Sequence, residues 1–177
     1  GKMAKTSKKQ IIVDEKKVIT QLQKNAMENL DLFAKKCGFS RQKVWRIIKN
    51  LEKNKSIWGY TAIIDPEYLQ KKHYVLLMKR NAQKINQKIV DILLSRELDE
   101  AVTKLGITIE TSSYLHGEYD WFAAFLDPDI FAAKRFSEMV KTAYPDTFQK
   151  IDLLETLFDI KRQNILNPDS EKLRDII

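Results

Sequence analysis

Leu30-Asp31-Leu32-Phe33-Ala34-Lys35-Lys36-Cys37-Gly38-Phe39-Ser40-Arg41-Gln42-Lys43-Val44-Trp45-Arg46-Ile47-Ile48-Lys49-Asn50-Leu51-Glu52-Lys53 is the stretch on which the fold turns. Leu30, Phe33 and Ala34 recur at helical spacing, and Gly38 supplies the left-handed backbone that stops a helix. Ser40 then stands where an N-cap belongs. Val44, Ile47, Ile48 and Leu51 follow at steps of three and four, which makes one buried face of a helix running to about Lys53. Asn54 is expected to close it in a left-handed conformation. Two helices joined by a short glycine turn predict a helix-turn-helix, whose second helix lies in the major groove of DNA.

Working outward, Ile12, Val18, Ile19 and Leu22 form the stripe of an earlier helix, from about Asp14 to Lys24. Residues 2–10 are lysine-rich and unpatterned, and read as a loose basic arm. On the other side, Ile57 to Ile64 is rich in aromatic and β-branched residues and is closed by Asp65-Pro66. It reads as a strand or hairpin arm, which would complete a winged helix-turn-helix.

The charge is segregated. The chain of 177 residues carries a formal net charge of +7. Residues 1–60 hold 15 Lys and Arg against 5 Asp and Glu, whereas residues 61–177 hold 16 against 19. A two-part protein shows this pattern when one part meets a polyanion and the other does not. With Val44, Ile47, Ile48 and Leu51 turned inward, the outer arc of the second helix carries Arg41, Gln42, Trp45, Arg46, Lys49 and Asn50. Arginine forks onto guanine, and Gln or Asn onto adenine, so base contact is expected first from Gln42 and Arg46, then Arg41 and Trp45. Lys43, Lys49, Lys53 and Lys55 are expected on phosphates. Ser40 caps the helix, and the N-terminus it organises can accept a phosphate. Trp45 has two readings: packing against Trp58 and Tyr60, or contact with a base methyl or sugar.

The remainder has a different rhythm. Strand-like stretches at Tyr74–Arg80, Thr108–Leu115, Asp120–Leu126 and Gln149–Asp159 alternate with helical ones at Ile85–Leu94, Leu98–Leu105 and Phe131–Tyr144. The order β-α-β-β-α-β predicts a four-stranded antiparallel sheet with its helices on one face, a ferredoxin-like α+β domain. Its open face needs cover, and a second copy of the chain is the simplest cover. The expected organisation is therefore a basic arm (1–10), a helix-turn-helix domain (11–58), a connecting strand (59–73), a ferredoxin-like dimerisation and effector domain (74–160) and a tail (161–177).

Several function classes are disfavoured. No run of about 18 apolar residues is present to span a bilayer, and no apolar stretch follows the start to make a secretory signal. One cysteine, Cys37, cannot form an internal disulfide and reads as a small buried hydrophobe, which fits a reducing cytoplasm. The two histidines, His73 and His116, have no partners at metal spacing, so neither a metal nor a cofactor is expected. No nucleophile, base and acid are arranged for catalysis.

The two halves together resemble the leucine-responsive/asparagine-regulator (Lrp/AsnC, feast/famine) family of prokaryotic transcription regulators. The matching residues are Val18-Ile19-Thr20-Gln21-Leu22-Gln23, Leu32-Phe33-Ala34, Cys37-Gly38-Phe39-Ser40, Val44 and Leu51-Glu52. Ile57-Trp58-Gly59-Tyr60-Thr61-Ala62-Ile63-Ile64-Asp65-Pro66 is the most specific stretch, and Gly117-Glu118-Tyr119-Asp120 resembles the family's Gly-Asp-Tyr-Asp hairpin. The resemblance implies a homodimer, often built up to tetramers or octamers, that binds double-stranded DNA in the cytoplasm in association with the nucleoid. It also implies an amino-acid effector at the hairpin, which places Gly117 and Asp120 in the site with His116, Glu118 and Tyr119 around them. His116 stands where Thr is usual, Ile47 replaces a common Arg, Lys55 replaces a turn Gly, and the stretch from Arg96 to Gly106 is longer than usual.

Independently of the resemblance, His116, Glu118 and Asp120 within five residues offer donors and carboxylates to a small charged ligand. The hairpin interrupts strand alternation, so their convergence is not fixed by sequence. An ordinary polar hairpin used in assembly is the plain alternative. Two other functions fit the same plan: an architectural protein that coats DNA with little sequence preference, and a tetrapyrrole-processing enzyme using His116.

Overall fold

The computed structural model describes residues 7–82 and 85–177. Residues 1–6 of the expected arm lie outside them. The chain is α+β and divides into two compact units, one formed by residues up to Ile63 with Ile160–Ser170, the other by Ile64–Asp159 with Glu171–Ile177.

In the first unit, α1 spans Lys8–Lys24, α2 Leu30–Cys37 and α3 Arg41–Lys53. Helix α1 starts earlier than the apolar stripe suggests, because Ser7 caps it by accepting from the Gln10 amide at 3.2 Å. Residues 8–10 are thus helical rather than part of a loose arm. The buried positions of α1 are Asp14 and Val18, four residues apart, which turns Ile12 outward to 52% exposure. Asn29 and Ser40 cap α2 and α3 through their side-chain oxygens, and Gly38 ends α2 at φ 72°. Val18, Phe33, Ala34, Cys37 and Val44 form the buried core, with Leu22, Leu30, Phe39, Ile47 and Ile48 packed against it. Burial pushes the Cys37 thiol up, away from thiolate chemistry.

Three expectations about this unit are corrected. The left-handed residue after α3 is Lys55 (φ 63°), not Asn54 (φ −83°). Lys55 thus holds the conformation that a turn glycine would take without strain. The strand expected over Ile57–Ile64, and with it the wing, is absent: residues 57–71 contain no strand, only a 3-10 turn at Pro66–Leu69. A strand needs a neighbour to pair its backbone N–H and C=O groups. The described residues supply none beside this one. The hairpin grouped with these helices comes instead from the far end of the chain, where β5 (Lys161–Arg162) pairs β6 (Ile165–Leu166) antiparallel. Its turn residues Gln163 and Asn164 both have positive φ, as a tight two-residue hairpin requires. Asn164 also donates to the Gln23 carbonyl at 3.2 Å, so residues 161–170 are not a free tail.

In the second unit, β1 spans Lys72–Arg80, α4 Gln87–Ser95, α5 Glu97–Lys104, β2 Thr108–Tyr114, β3 Trp121–Asp127, α6 Ile130–Ala143 and β4 Phe148–Glu155. The strands form one antiparallel sheet in the order β2-β3-β1-β4. The long stretch between β1 and β2 is two helices because Arg96 turns left-handed (φ 62°) between them. The stretch from Arg96 to Gly106 is therefore α5 and its closing turn.

Alternation along β1 sends Tyr74, Leu76 and Met78 to the helix-covered face with Ala123 and Phe125 of β3. Phe125 lies 5.7 Å from Tyr74 and 4.6 Å, edge-on, from Phe136 of α6. The opposite face carries Val75 beside Ala124 and Leu154, and Leu77 beside Phe122. Val75, Leu77 and Phe122 on that face are only half-buried. At the end of β3, Asp127 is 1% exposed with one carboxylate oxygen unpartnered. Burial, helped by the nearby Asp129, pushes its carboxyl up to about 6 against the pull of Arg135 and Lys71.

Candidate nucleic-acid interface and effector hairpin

Helix α3 presents a polar arc because its apolar residues are spent on the core. Val44 and Leu51 are buried, and Ile47 and Ile48 pack on the same cluster. Ile47 therefore makes a core contact and does not belong to the polar arc. Arg41, Gln42, Trp45, Arg46, Lys49 and Asn50 are all exposed, as are Lys53 and Lys55 beyond them. Ser40 accepts from the Lys43 amide at 3.1 Å and holds the first turn open at its N-terminal end. Beside that end, Leu30, Ser40, Arg41, Gln42 and Trp45 line a shallow concavity.

The arc is not uniformly available. Arg41 reaches Asp31 of α2 at 3.1 Å, and Lys49 reaches Glu52 at 3.2 Å; both pairs are well exposed, so phosphate can compete for either cation. Lys43 differs. Its ammonium is 2.8 Å from Asp14 of α1 and lies over the Phe39 ring at 4.2 Å, so the side chain ties α3 to α1. In sequence Lys43 has the signature of a phosphate-contacting lysine, because the buried carboxylate that engages it lies 29 residues upstream. Among the described residues, Gln42, Arg46, Asn50, Lys53 and Lys55 have no side-chain hydrogen bond or ion pair. Trp45 is 58% exposed and Trp58 97%, so they do not bury one another. Tyr60 instead donates to Glu52 at 3.3 Å, and the Lys49 ammonium lies 6.0 Å from the Trp45 ring.

The hairpin between β2 and β3 is closed by the Leu115 amide donating to the Asp120 carbonyl at 2.7 Å. The Asp120 amide donates to the Met78 carbonyl at 2.9 Å, which fastens the hairpin to β1. Three of the five expected effector residues are engaged with neighbouring strands. Glu118 meets Lys79 at 3.2 Å, Tyr119 donates to Asp152 at 2.5 Å, and Asp120 accepts from the Arg80 amide at 2.8 Å. The Arg80 guanidinium is 3.5 Å from Asp120. Lys150 completes the group, 3.4 Å from Asp152 and 5.7 Å from the Tyr119 ring. The bond to Asp152 pushes the Tyr119 phenol up and holds the Asp152 carboxyl below its usual range.

His116 and Gly117 are exposed at the tip and do not join that group. Gly117 adopts φ 149°, and a Cβ there would meet nothing, so the glycine serves backbone conformation rather than clearance. His73, the other histidine, lies on β1 with Nδ1 2.6 Å from the Thr156 hydroxyl and Nε2 3.4 Å from Glu110.

Lys79, Arg80, Lys150 and Asp152 were missed as hairpin partners from sequence. The available signal was the polar end of β1, Lys79-Arg80 after Val75-Leu76-Leu77-Met78. The pairing of β1 with both β3 and β4 that brings them together is long-range.

The whole-chain fold is that of solved Lrp/AsnC-type regulators. An AsnC family transcriptional regulator from Agrobacterium tumefaciens is similar with a TM-score of 0.62 and 22% identity, over 88% of this chain and 96% of that one. A transcriptional regulator from Neisseria meningitidis, solved with L-Met, is similar at 0.65 and 19%, over 89% and 94%. AsnC of E. coli is similar at 0.57 and 18%, over 85% and 94%. No protein-family model matches the chain, and no curated protein matches it.

Proposed function

We propose that the chain is a DNA-binding transcriptional regulator of the Lrp/AsnC type that recognises a specific operator. The observation that carries this is α3 itself. Its apolar face is committed to the core of the first unit, and its outer face offers Gln42, Arg46 and Asn50, none engaged elsewhere among the described residues. These side chains match the donors and acceptors of base edges in the major groove. Lys49, Lys53 and Lys55 lie farther along the helix or just past it, where they fit phosphate contact and register.

In this reading the second unit is the assembly and effector module. The partly apolar sheet face at Val75, Leu77 and Phe122 is suited to cover by a second copy, and a paired DNA reader gains two half-sites. An amino acid is the effector class supported by the L-Met complex of the Neisseria meningitidis neighbour. The candidate positions are His116, Gly117, Glu118, Tyr119 and Asp120. Catalysis forms no part of the proposal.

The function is tested by selecting bound fragments from genomic DNA and comparing the selected operator with random DNA at physiological salt. A specific regulator prefers its operator by roughly 10³-fold or more. A ratio near one would instead identify an architectural coating protein.

A further inference from the structure

The concavity at the N-terminal end of α3 joins a polar side to an apolar one. Much of the polar side is committed, since Ser40 accepts from the Lys43 amide at 3.1 Å and Arg41 reaches Asp31 at 3.1 Å. Among the described residues, the Gln42 amide has no such partner. The apolar side is the half-buried Leu30 and the Trp45 indole. Trp58, itself 97% exposed, does not cover that indole. The Lys49 ammonium stands 6.0 Å from its ring, at the outer reach of a cation–π contact, and is paired with Glu52 at 3.2 Å.

A single exposed apolar side chain is ordinary on a protein surface. This one is set apart by its place inside the polar arc, one helical turn from Gln42 and next to Arg46. Charge decides what meets it. Residues 1–60 hold 15 Lys and Arg against 5 Asp and Glu, and the exposed Arg46, Lys49 and Lys53 follow on the same helix, so a polyanion is the complementary partner. Phosphates and base amides are polar and would gain nothing from Leu30 and the indole ring. The apolar group that a base offers in the major groove is the C5-methyl of thymine, which cytosine lacks.

We infer that the surface formed by Leu30 and Trp45 receives a thymine C5-methyl group of the operator, which makes Trp45 a specificity-determining residue that selects thymine over cytosine beside the base read by Gln42. The inference rests on the operator-reading role of α3 and adds the chemical group recognised at this end of it. Taking one methyl group out of water is worth about fourfold in affinity. The indole thus reads a base without a hydrogen bond, where Gln42 and Arg46 read theirs through donors and acceptors.

The test uses the full chain and its genomically selected operator, with each thymine replaced in turn by 2′-deoxyuridine, which removes the methyl and keeps the base pairing. Affinities of wild type, Trp45→Ala and Arg46→Ala are measured at physiological salt, with melting temperatures recorded. Position 45 is exposed and Ala is the best helix former, so Trp45→Ala should melt near wild type. At one thymine of a half-site, uracil is expected to weaken wild type about fourfold. Arg46→Ala should keep that loss, whereas Trp45→Ala should bind the thymine and uracil duplexes alike. Wild type indifferent to every uracil would overturn the inference, as would the same loss persisting in Trp45→Ala. Equal weakening of Trp45→Ala on operator and random DNA would also overturn it, because the indole would then lie on the sugar-phosphate backbone. A wild type that prefers its operator by roughly 10³-fold yet ignores uracil fails this inference alone, whereas a ratio near one fails the operator reading with it.

Discussion

The Lys43 ammonium sits 2.8 Å from the Asp14 carboxylate and closes α3 onto α1 across a sequence distance of 29 residues. Asp14 is nearly fully buried and also accepts from the Gln10 side chain at 2.8 Å. The two hydrogen bonds, Lys43 first, hold its carboxyl below the usual 3.8. Removing Lys43 leaves the buried Asp14 carboxylate without its charged partner, whereas Lys43 keeps about a third of its side chain in water. Lys43→Met is therefore expected to lower the melting temperature of the first unit by several degrees. The salt dependence of DNA binding, measured below that temperature, should keep its slope. A slope reduced by about one would return Lys43 to the phosphate contacts.

The outward residues of α3 divide by role. Arg46→Ala is expected to relax discrimination at one operator position, with a loss of about 1–3 kcal/mol there and little on other sequences. Lys53→Ala should weaken binding to all sequences alike and flatten the salt slope by about one unit. Titrations against operator variants at several salt concentrations check both. Equal losses for both variants on every DNA would contradict the division.

The two units should respond to acid in opposite directions. Asp14 has a folded-state pKa below 3.8, so its contribution is present above that value and is lost as pH falls through the lowered one. Asp127 is raised from 3.8 to about 6. Its neutral form suits the folded state, so its contribution is complete below 3.8 and is lost as pH rises to about 6. Asp127→Asn is expected to raise the melting temperature of the second unit at pH 7 and to remove its decline between about pH 4 and 6. Thermal melts across that range check this. An unchanged decline in the variant would place its origin elsewhere.

At the hairpin, Gly117→Trp forces a side chain into a backbone conformation at φ 149° that disfavours one. Calorimetry of the full chain against the twenty amino acids is expected to find at least one that binds wild type, with this variant losing it. Tyr119→Phe removes the bond to Asp152 but keeps the ring under Lys150, so it should weaken the same ligand to a lesser degree. Retention of full affinity by Gly117→Trp would move the effector site away from the hairpin.

The parts of the fold legible in the sequence are those fixed by local chemistry. Ser40 as a cap, Gly38 as a stop and the spacing of Val44, Ile47, Ile48 and Leu51 place α3 at Arg41–Lys53. Alternation in Tyr74–Arg80 places β1 and its buried face. What was not legible depends on contacts between distant residues. Ile57–Ile64 has strand composition, but composition cannot supply the neighbour a ladder needs. Lys43 has the same surface signature as Lys49 and is distinguished only by Asp14. The hairpin carboxylates Glu118 and Asp120 look free for a ligand until β1 brings Lys79 and Arg80 beside them. Sequence reading was therefore most secure for elements and least secure for which charged groups remain available.

The central claim is that the free arc of α3 reads a DNA sequence. The most direct measurement is the affinity of the full chain for its genomically selected operator relative to random DNA of equal length, at physiological salt, for wild type and Arg46→Ala. Wild type is expected to show a ratio of roughly 10³ or more, which falls by about tenfold or more in the variant. A wild-type ratio near one, unchanged in Arg46→Ala, would contradict it.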